Sequence, residues 1–290
     1  GRIGVCFHVL FVRCASLRLL WHIFFTSNFV FSCYRLRRAL YRVFLRRLQF
    51  GIRASSQGIA TIALCERYAM PRDDRLIPPI ERAIAYITGA RNSSVGGWRY
   101  EPGQAGDTSV LGWMVMAMKS AQRCGIDVDP QAVAAASDWQ GLVMDDRWDG
   151  RYAYRPGMDA THSMNAAVMF VHQLLVTDRA DPRMSGSARY VLQELPRWDA
   201  HSPTFACYHA PLALFQPGLC AWTRWNREVS RELVRAQRDD GPAAGSWDPT
   251  DRYARIGGRI YQTAICTLSL EVYYRYLPMY VDEPEVVGGE

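Results

Sequence analysis

Apolar positions along residues 56–280 recur at helical spacing, and the segments they define alternate in character. One kind has a charged face and an apolar face, as in Arg227-Glu-Val-Ser-Arg-Glu-Leu-Val-Arg235. The other is apolar on most sides, as in Val110-Leu-Gly-Trp-Met-Val-Met-Ala-Met118. A one-faced helix sits at a surface, whereas a helix apolar all round is buried by neighbours or lines an apolar cavity. The alternation therefore predicts two helical layers, one inner and one outer. Strand signals are nearly absent: few β-branched alternations and no Asn-Gly hairpins.

The alternation is also periodic. Each unit is an outer helix, a loop with glycine beside an aromatic, and an inner helix opened by a Thr-containing turn. The first copy predicts an outer helix over Ile77–Ala90, the loop Gly96-Gly97-Trp98-Arg99-Tyr100, the turn Gly106-Asp107-Thr108-Ser109, and an inner helix to Arg123. The second predicts an outer helix over Pro130–Leu142, with proline at a favoured first-turn position. Its loop is Gly150-Arg151-Tyr152-Ala153-Tyr154, and its inner helix follows Asp159-Ala160-Thr161 to Leu175. A degenerate third copy places helices near Gly186–Leu195 and Ala206–Phe215. The fourth places them near Asn226–Gln237 and from Gln262-Thr263 to Tyr276, across the loop Gly245-Ser246-Trp247-Asp248. An unpaired inner helix, Gly58–Tyr68, precedes them all. Gly58 and Gly112 stand 54 residues apart, as do Ala63 and Ala117. A period of about fifty residues marks an array whose units bury their apolar faces only against neighbours.

Residues 1–55 read differently. Residues 3–33 are strongly apolar but interrupted by Arg13, Arg18 and His22. The longest uncharged stretch, Leu19–Tyr34, has 16 residues, fewer than the roughly 20 a spanning helix needs. Residues 34–50 form a basic amphipathic pattern with Leu36, Leu40, Val43 and Leu48 near one face. Three readings stand side by side: a membrane-surface helix, an outer helix of the array with its arginines in water, or a stretch outside the natural coding sequence. Membrane association through residues 1–50 and a flexible acidic tail over 281–290 belong to this division, with 56–280 as the repeat domain.

Composition changes little else. The chain has 290 residues, enough for a large core without disulfides or metal. Ten arginines and no acid lie in residues 1–65, which exceeds the net charge of +6, so the rest is mildly acidic. That argues against a nucleic-acid partner. The eight cysteines include no Cys-x-x-Cys pair and read as small buried apolar residues. They suit a reducing compartment, so a cytoplasmic or membrane-associated chain is expected. Lys119 is the single lysine, so Schiff-base chemistry would rest on it alone.

Gln237-Arg-Asp-Asp-Gly-Pro-Ala-Ala-Gly245-Ser-Trp247 resembles the QW-type motif of squalene-hopene cyclases. Gly96-Gly-Trp-Arg-Tyr with Gly106-Asp-Thr-Ser-Val-Leu-Gly-Trp113 looks like bacterial proteins carrying prenyltransferase and squalene oxidase repeats, as do Gly58-Ile-Ala-Thr-Ile-Ala-Leu-Cys-Glu66 and Gly258-Arg-Ile-Tyr-Gln-Thr263. The resemblance covers residues 56–280. It implies the terpenoid cyclase and protein prenyltransferase superfamily and its fold, an all-α α/α toroid. By four helix pairs and one inner helix, that ring is incomplete unless residues 34–50 supply an outer helix.

The chemistry those families need is missing. A cyclase that protonates an alkene uses Asp-x-Asp-Asp, whose acid must be buried among hydrogen-bonded neighbours. Here the nearest string is Asp127-Val-Asp129-Pro130. Asp145-Asp146-Arg147-Trp148-Asp149 matches the magnesium-binding Asp-Asp-x-x-Asp string, but it falls in a loop before Gly150 and reads as a solvated acidic turn. The prenyltransferase zinc pair has Ser109 in place of its thiolate, and Gln262 stands where a histidine is wanted. No metal or other cofactor is expected, and Asp107 reads as an N-cap.

Residues at the inner-helix starts still point to one mouth. Asp107, Asp159, His162 and His209 are the acid-base candidates, the histidines because they titrate near neutrality. Trp113, Tyr208, Tyr261 and Gln262 are expected to line the cavity. For each, capping or packing is the plainer role. Two functions are carried forward: a toroid binding an apolar, isoprenoid-class ligand, and a non-catalytic scaffold for protein partners. A central cavity closed by side chains would count against the first.

Overall fold

The computed structural model describes residues 53–70, 72–145, 150–176, 181–198, 204–215 and 219–272. Among these the chain is all-helical. The helices are α1 (Arg53–Ala69), α2 (Ile77–Ala90), α3 (Thr108–Arg123), α4 (Pro130–Leu142), α5 (His162–Leu175), α6 (Pro182–Val191), α7 (Thr204–Phe215), α8 (Leu219–Ala236) and α9 (Arg252–Leu270). The only extended pairing among the described residues is two isolated bridges, Met144 with Tyr152 and Ala153 with Ala160.

The architecture is an α/α toroid. Helices α1, α3, α5, α7 and α9 pack each on the next as the inner row, and α2, α4, α6 and α8 lie outside them. The ends of the row, α1 and α9, do not pack on each other comparably among the described residues. Burial follows the layers. Val110–Met118, Met164–His172 and Ala206–Leu214 are buried without interruption. Outer helix α8 buries Trp225, Val229 and Leu233 at a spacing of four and exposes its charges.

Inner helices approach closely because glycine lets them. A Cβ on Gly58 of α1 would stand 2.9 Å from the Trp113 Cβ and carbonyl oxygen of α3. A Cβ on Gly112, 54 residues on, would stand 3.0 Å from the His209 ring of α7 and 4.0 Å from Ala167 of α5. The repeated glycine thus does the same work in two units.

The loops are tied to the helices by a recurrent bond. The Trp98 Nε1–H donates to the Ile87 carbonyl at 2.7 Å, and the Trp247 Nε1–H to the Leu233 carbonyl at 2.7 Å. Gln237 donates to the Gly245 carbonyl at 2.9 Å. The Gln-Gly-Trp pattern is therefore a lock between an outer helix and its following loop, a demand of hairpin packing rather than of any one chemistry. Its recurrence drew the sequence toward the cyclases.

Four helices depart from the sequence expectation at their starts. α1 begins at Arg53 rather than Gly58. α6 begins at Pro182 rather than near Gly186, because Asp181 caps it by accepting from Arg183 N. α8 begins at Leu219, seven residues before the expected start. α9 begins at Arg252, not Gln262, because Asp251 accepts from Tyr253 N and Ala254 N. Gly258, at φ 75 and ψ −176, then breaks it, so the second helical segment is the expected one. No helix among the described residues is long and apolar enough to cross a membrane. Residues 1–52, with the three readings attached to them, lie outside the described residues, as do 281–290.

Candidate functional site at the loop end of the toroid

Outer-to-inner loops all leave the same end of the toroid, where the inner helices begin. The N-caps there are Asp107, Thr161 and Asp251. Loop one and loop two are joined: Thr108 N–H donates to the Tyr154 carbonyl at 3.1 Å, and Thr108 Oγ1 donates to the Ala153 carbonyl at 2.8 Å. Buried Asn165 clamps loop two, donating to the Gly150 carbonyl and accepting from Tyr152 N–H.

Asp107 is fully buried. Its Oδ1 accepts from Val110 N–H at 3.0 Å and from the Ser109 hydroxyl at 2.7 Å. Its Oδ2 accepts from the Tyr154 hydroxyl at 2.9 Å, with Arg99 Nε at 3.8 Å. Tyr100 lies 3.0 Å from Tyr154, hydroxyl to hydroxyl, completing a chain of two phenols on one carboxylate. Burial, then the bonds to Tyr100 and Asp107, push the Tyr154 phenol far up. Asp107 is thus committed to capping and to this chain. Tyr100 and Tyr154 are repeat equivalents, 54 residues apart, and meet because their loops are adjacent.

A second group gathers where α5 begins. The His162 ring stacks on Tyr190 at 4.2 Å between centroids, and its Nδ1 stands 3.1 Å from Glu194 Oε2. His162 Nε2 has no partner among the described residues. The Arg151 guanidinium lies over the Tyr190 ring at 4.4 Å, and the Tyr190 hydroxyl donates to the Ala160 carbonyl at 3.1 Å. Partial burial raises the Tyr190 phenol, and the carboxylates of Glu194, Asp145 and Asp159 raise it further against Arg151. Three acids thus converge electrostatically on one ring. Burial lowers the His162 pKa, Glu194 opposes that, and Arg151 adds to it. No group of His, Cys, Asp and Glu among the described residues is close enough to hold a metal ion. Of the acidic string at 145–149, only Asp145 falls within the described residues.

The remaining candidates lie deeper and apart. His209 is buried on α7 between Phe205, stacked at 4.1 Å, and Trp113, edge-on at 5.2 Å. Its Nδ1–H donates to the Phe205 carbonyl, and Nε2 has no partner among the described residues. Burial pushes its pKa down to about 4. Trp113 and Tyr208 stack on each other at 4.9 Å and are 7% and 3% exposed. They fill the interior at this level instead of lining an open apolar cavity. Tyr261 packs over Gly257, and Gln262 donates to Cys266 Sγ at 3.3 Å within α9. Asp107 and His162 therefore reach the loop end in separate clusters, Asp159 joins the second, and His209 joins neither. Arg151, Tyr190 and Glu194 were not singled out from the sequence. Glu194 and Tyr190 lie in the degenerate third copy, where the repeat register gives no guide.

The chain matches no protein-family model and no curated protein. It is similar to a solved structure, an inactive variant of an alpha-1,6-mannanase of Salegentibacter sp. in complex with alpha-1,6-mannotriose. The TM-score is 0.53 at 12% identity, over 76% of this chain and 75% of that one. At that identity the likeness carries the fold alone. Two expectations are thereby corrected. The terpenoid cyclase and squalene-hopene cyclase resemblance does not hold, since the fold likeness is to a mannanase and the shared motifs are hairpin locks. The isoprenoid-class ligand falls with the resemblance that implied it, and Trp113 and Tyr208 are packed together. The interaction-scaffold alternative gains nothing from either finding, nor does the protein partner it called for.

Proposed function

We propose that the loop end of this toroid binds a neutral oligosaccharide, with glycoside hydrolysis as its reaction class. The observation that carries the reading is the stacked Tyr190–His162 pair with Glu194 Oε2 3.1 Å from His162 and Arg151 over the Tyr190 ring, a cluster on which Asp145 and Asp159 also act electrostatically. Sugar recognition needs many hydrogen-bonding groups held in fixed directions. The two ring stacks fix His162 and Arg151, which spares the rotamer entropy that binding would otherwise cost. Hydrolysis of a glycosidic bond uses two carboxyl groups flanking it; Glu194 sits in this cluster, and Asp145 and Asp159 are near enough to act on Tyr190 electrostatically. The exposed Glu194, with 77% of its side chain in solvent, is open to a ligand arriving from the loop end, and the buried His162 Nε2 behind it has no partner among the described residues. The mannanase bound to mannotriose supports an alpha-linked manno-oligosaccharide as the first ligand to try.

The test is calorimetric titration of the full chain with alpha-1,6-mannotriose, followed by an assay for new reducing ends on the polymer. Glu194→Gln and Asp159→Asn should each weaken binding about tenfold or more, roughly 1.4 kcal/mol, with the helical circular dichroism unchanged. Equal binding by the variants, or no heat with any of a panel of neutral oligosaccharides, would remove the proposal.

A further inference from the structure

We propose that Cys65 and Cys124 form a dithiol site, opening on the cleft between α1, α2 and the turn after α3, that small disulfides oxidise to a protein disulfide. It is independent of the oligosaccharide reading and lies elsewhere, at the end of α3 remote from its N-cap. Cys65 sits in the last turns of α1, and Cys124 is the C-cap of α3. The two helices are neighbours in the inner row, and the Cys124 Sγ donates to the Cys65 carbonyl at 3.4 Å. The two thiols also lie near enough to shift each other's titration. Chain packing has thus brought together sulfurs 59 residues apart.

The surroundings assign the roles. Cys65 is 1% exposed, whereas Cys124 is half-buried and lines a cleft of about 630 Å³ with Tyr68, Ile77, Ile84 and Ile126. A small disulfide entering there meets Cys124 first. The neighbouring Cys65 thiol, and then the Arg72 charge, favour the Cys124 thiolate against its partial burial, while Cys65 is held as the thiol. Attack by the Cys124 thiolate on R–S–S–R forms Cys124–S–S–R and releases one RS⁻. Cys65 then loses its proton to solvent or to the departing thiolate and attacks the Cys124 sulfur. The second RS⁻ leaves, so two RSH and one protein disulfide result, and the small disulfide is the oxidant. The buried Cys207 and Cys266 offer no such entry, since burial pushes both thiols up, Cys207 to about 12.

The experiment is incubation of the full chain with glutathione disulfide, then tryptic mapping without reduction. The expected product joins the peptide 54–67 to the peptide 124–147, with two hydrogens lost. In Cys65→Ala the reaction should stop at glutathione on Cys124, and in Cys124→Ser neither product should form. A thermal melt of the oxidised wild type should shift upward, because the link closes a long loop. Absence of the 65–124 link, or comparable linkage through Cys207 or Cys266, would overturn the proposal. So would an unmodified Cys124 in the Cys65→Ala chain.

Discussion

His209 shows what one buried side chain costs this fold. Its Nδ1 is satisfied by the Phe205 carbonyl, but Nε2 lies in an aromatic cage with no acceptor for a second proton. The folded pKa is about 4, below the ordinary value of 6.5. The unfolded chain therefore binds more protons between those values. His209 contributes its full stability above pH 6.5 and loses it as pH falls toward 4, by up to about 3 kcal/mol. Urea melts between pH 7 and 4 should show that decline, and His209→Leu should flatten it. Gly58 makes a second case at this scale. In Gly58→Ala the new methyl meets backbone and Cβ of Trp113 at 2.9 Å, so α1 and α3 must separate. A loss of about 1–3 kcal/mol in urea unfolding is expected from such overpacking.

At the scale of the element, caps explain where helices begin. Asp129, Asp181 and Asp251 each accept backbone N–H bonds in the first turn and fix starts that apolar spacing alone leaves loose. Thr161 does the same for α5 through Met164 N–H, and it also positions the His162 cluster. Thr161→Ala should cost about 1 kcal/mol in a denaturant melt. It should also weaken any oligosaccharide binding by loosening His162, whereas Asp129→Ala should cost comparable stability and leave binding intact. Much of this level was legible: α2, α3 and α4 fall where the repeat put them, because their units are complete and begin with proline or a Thr turn. The early start of α6 was not, since it lies in the third copy, where the repeat has decayed; α8 and α9 also start early, although the loop between them is intact.

For the whole molecule the inner row decides the order of stability. Among the described residues, helices α3, α5 and α7 each have inner neighbours on two sides, while α1 and α9 have one. Amide exchange should accordingly be slowest over Val110–Met118, Met164–His172 and Ala206–Leu214, and faster in α9 around Gly258. Uniform exchange across all five inner helices would contradict that arrangement. The row also explains why candidates from one sequence motif class end up apart. His209 points between helices into the core, whereas His162, at the first position of α5, stays at the rim.

The sequence by itself determined the all-helical class, the alternation of layers and the repeat. Each of these is written in local spacing: apolar period, glycine beside aromatic, cap before helix. It also carried the register that brings Tyr100 to Tyr154 and Gly58 to α3, since repeat-equivalent residues meet equivalent neighbours. It misled on chemistry, because the Gln-Gly-Trp pattern here ties an outer helix to its loop and touches no ligand site. Only the tertiary structure could join Asp145, Asp159, His162, Tyr190 and Glu194, or Cys65 and Cys124. Those groups come from different units, and their meeting depends on how adjacent hairpins turn against one another, which no local pattern encodes.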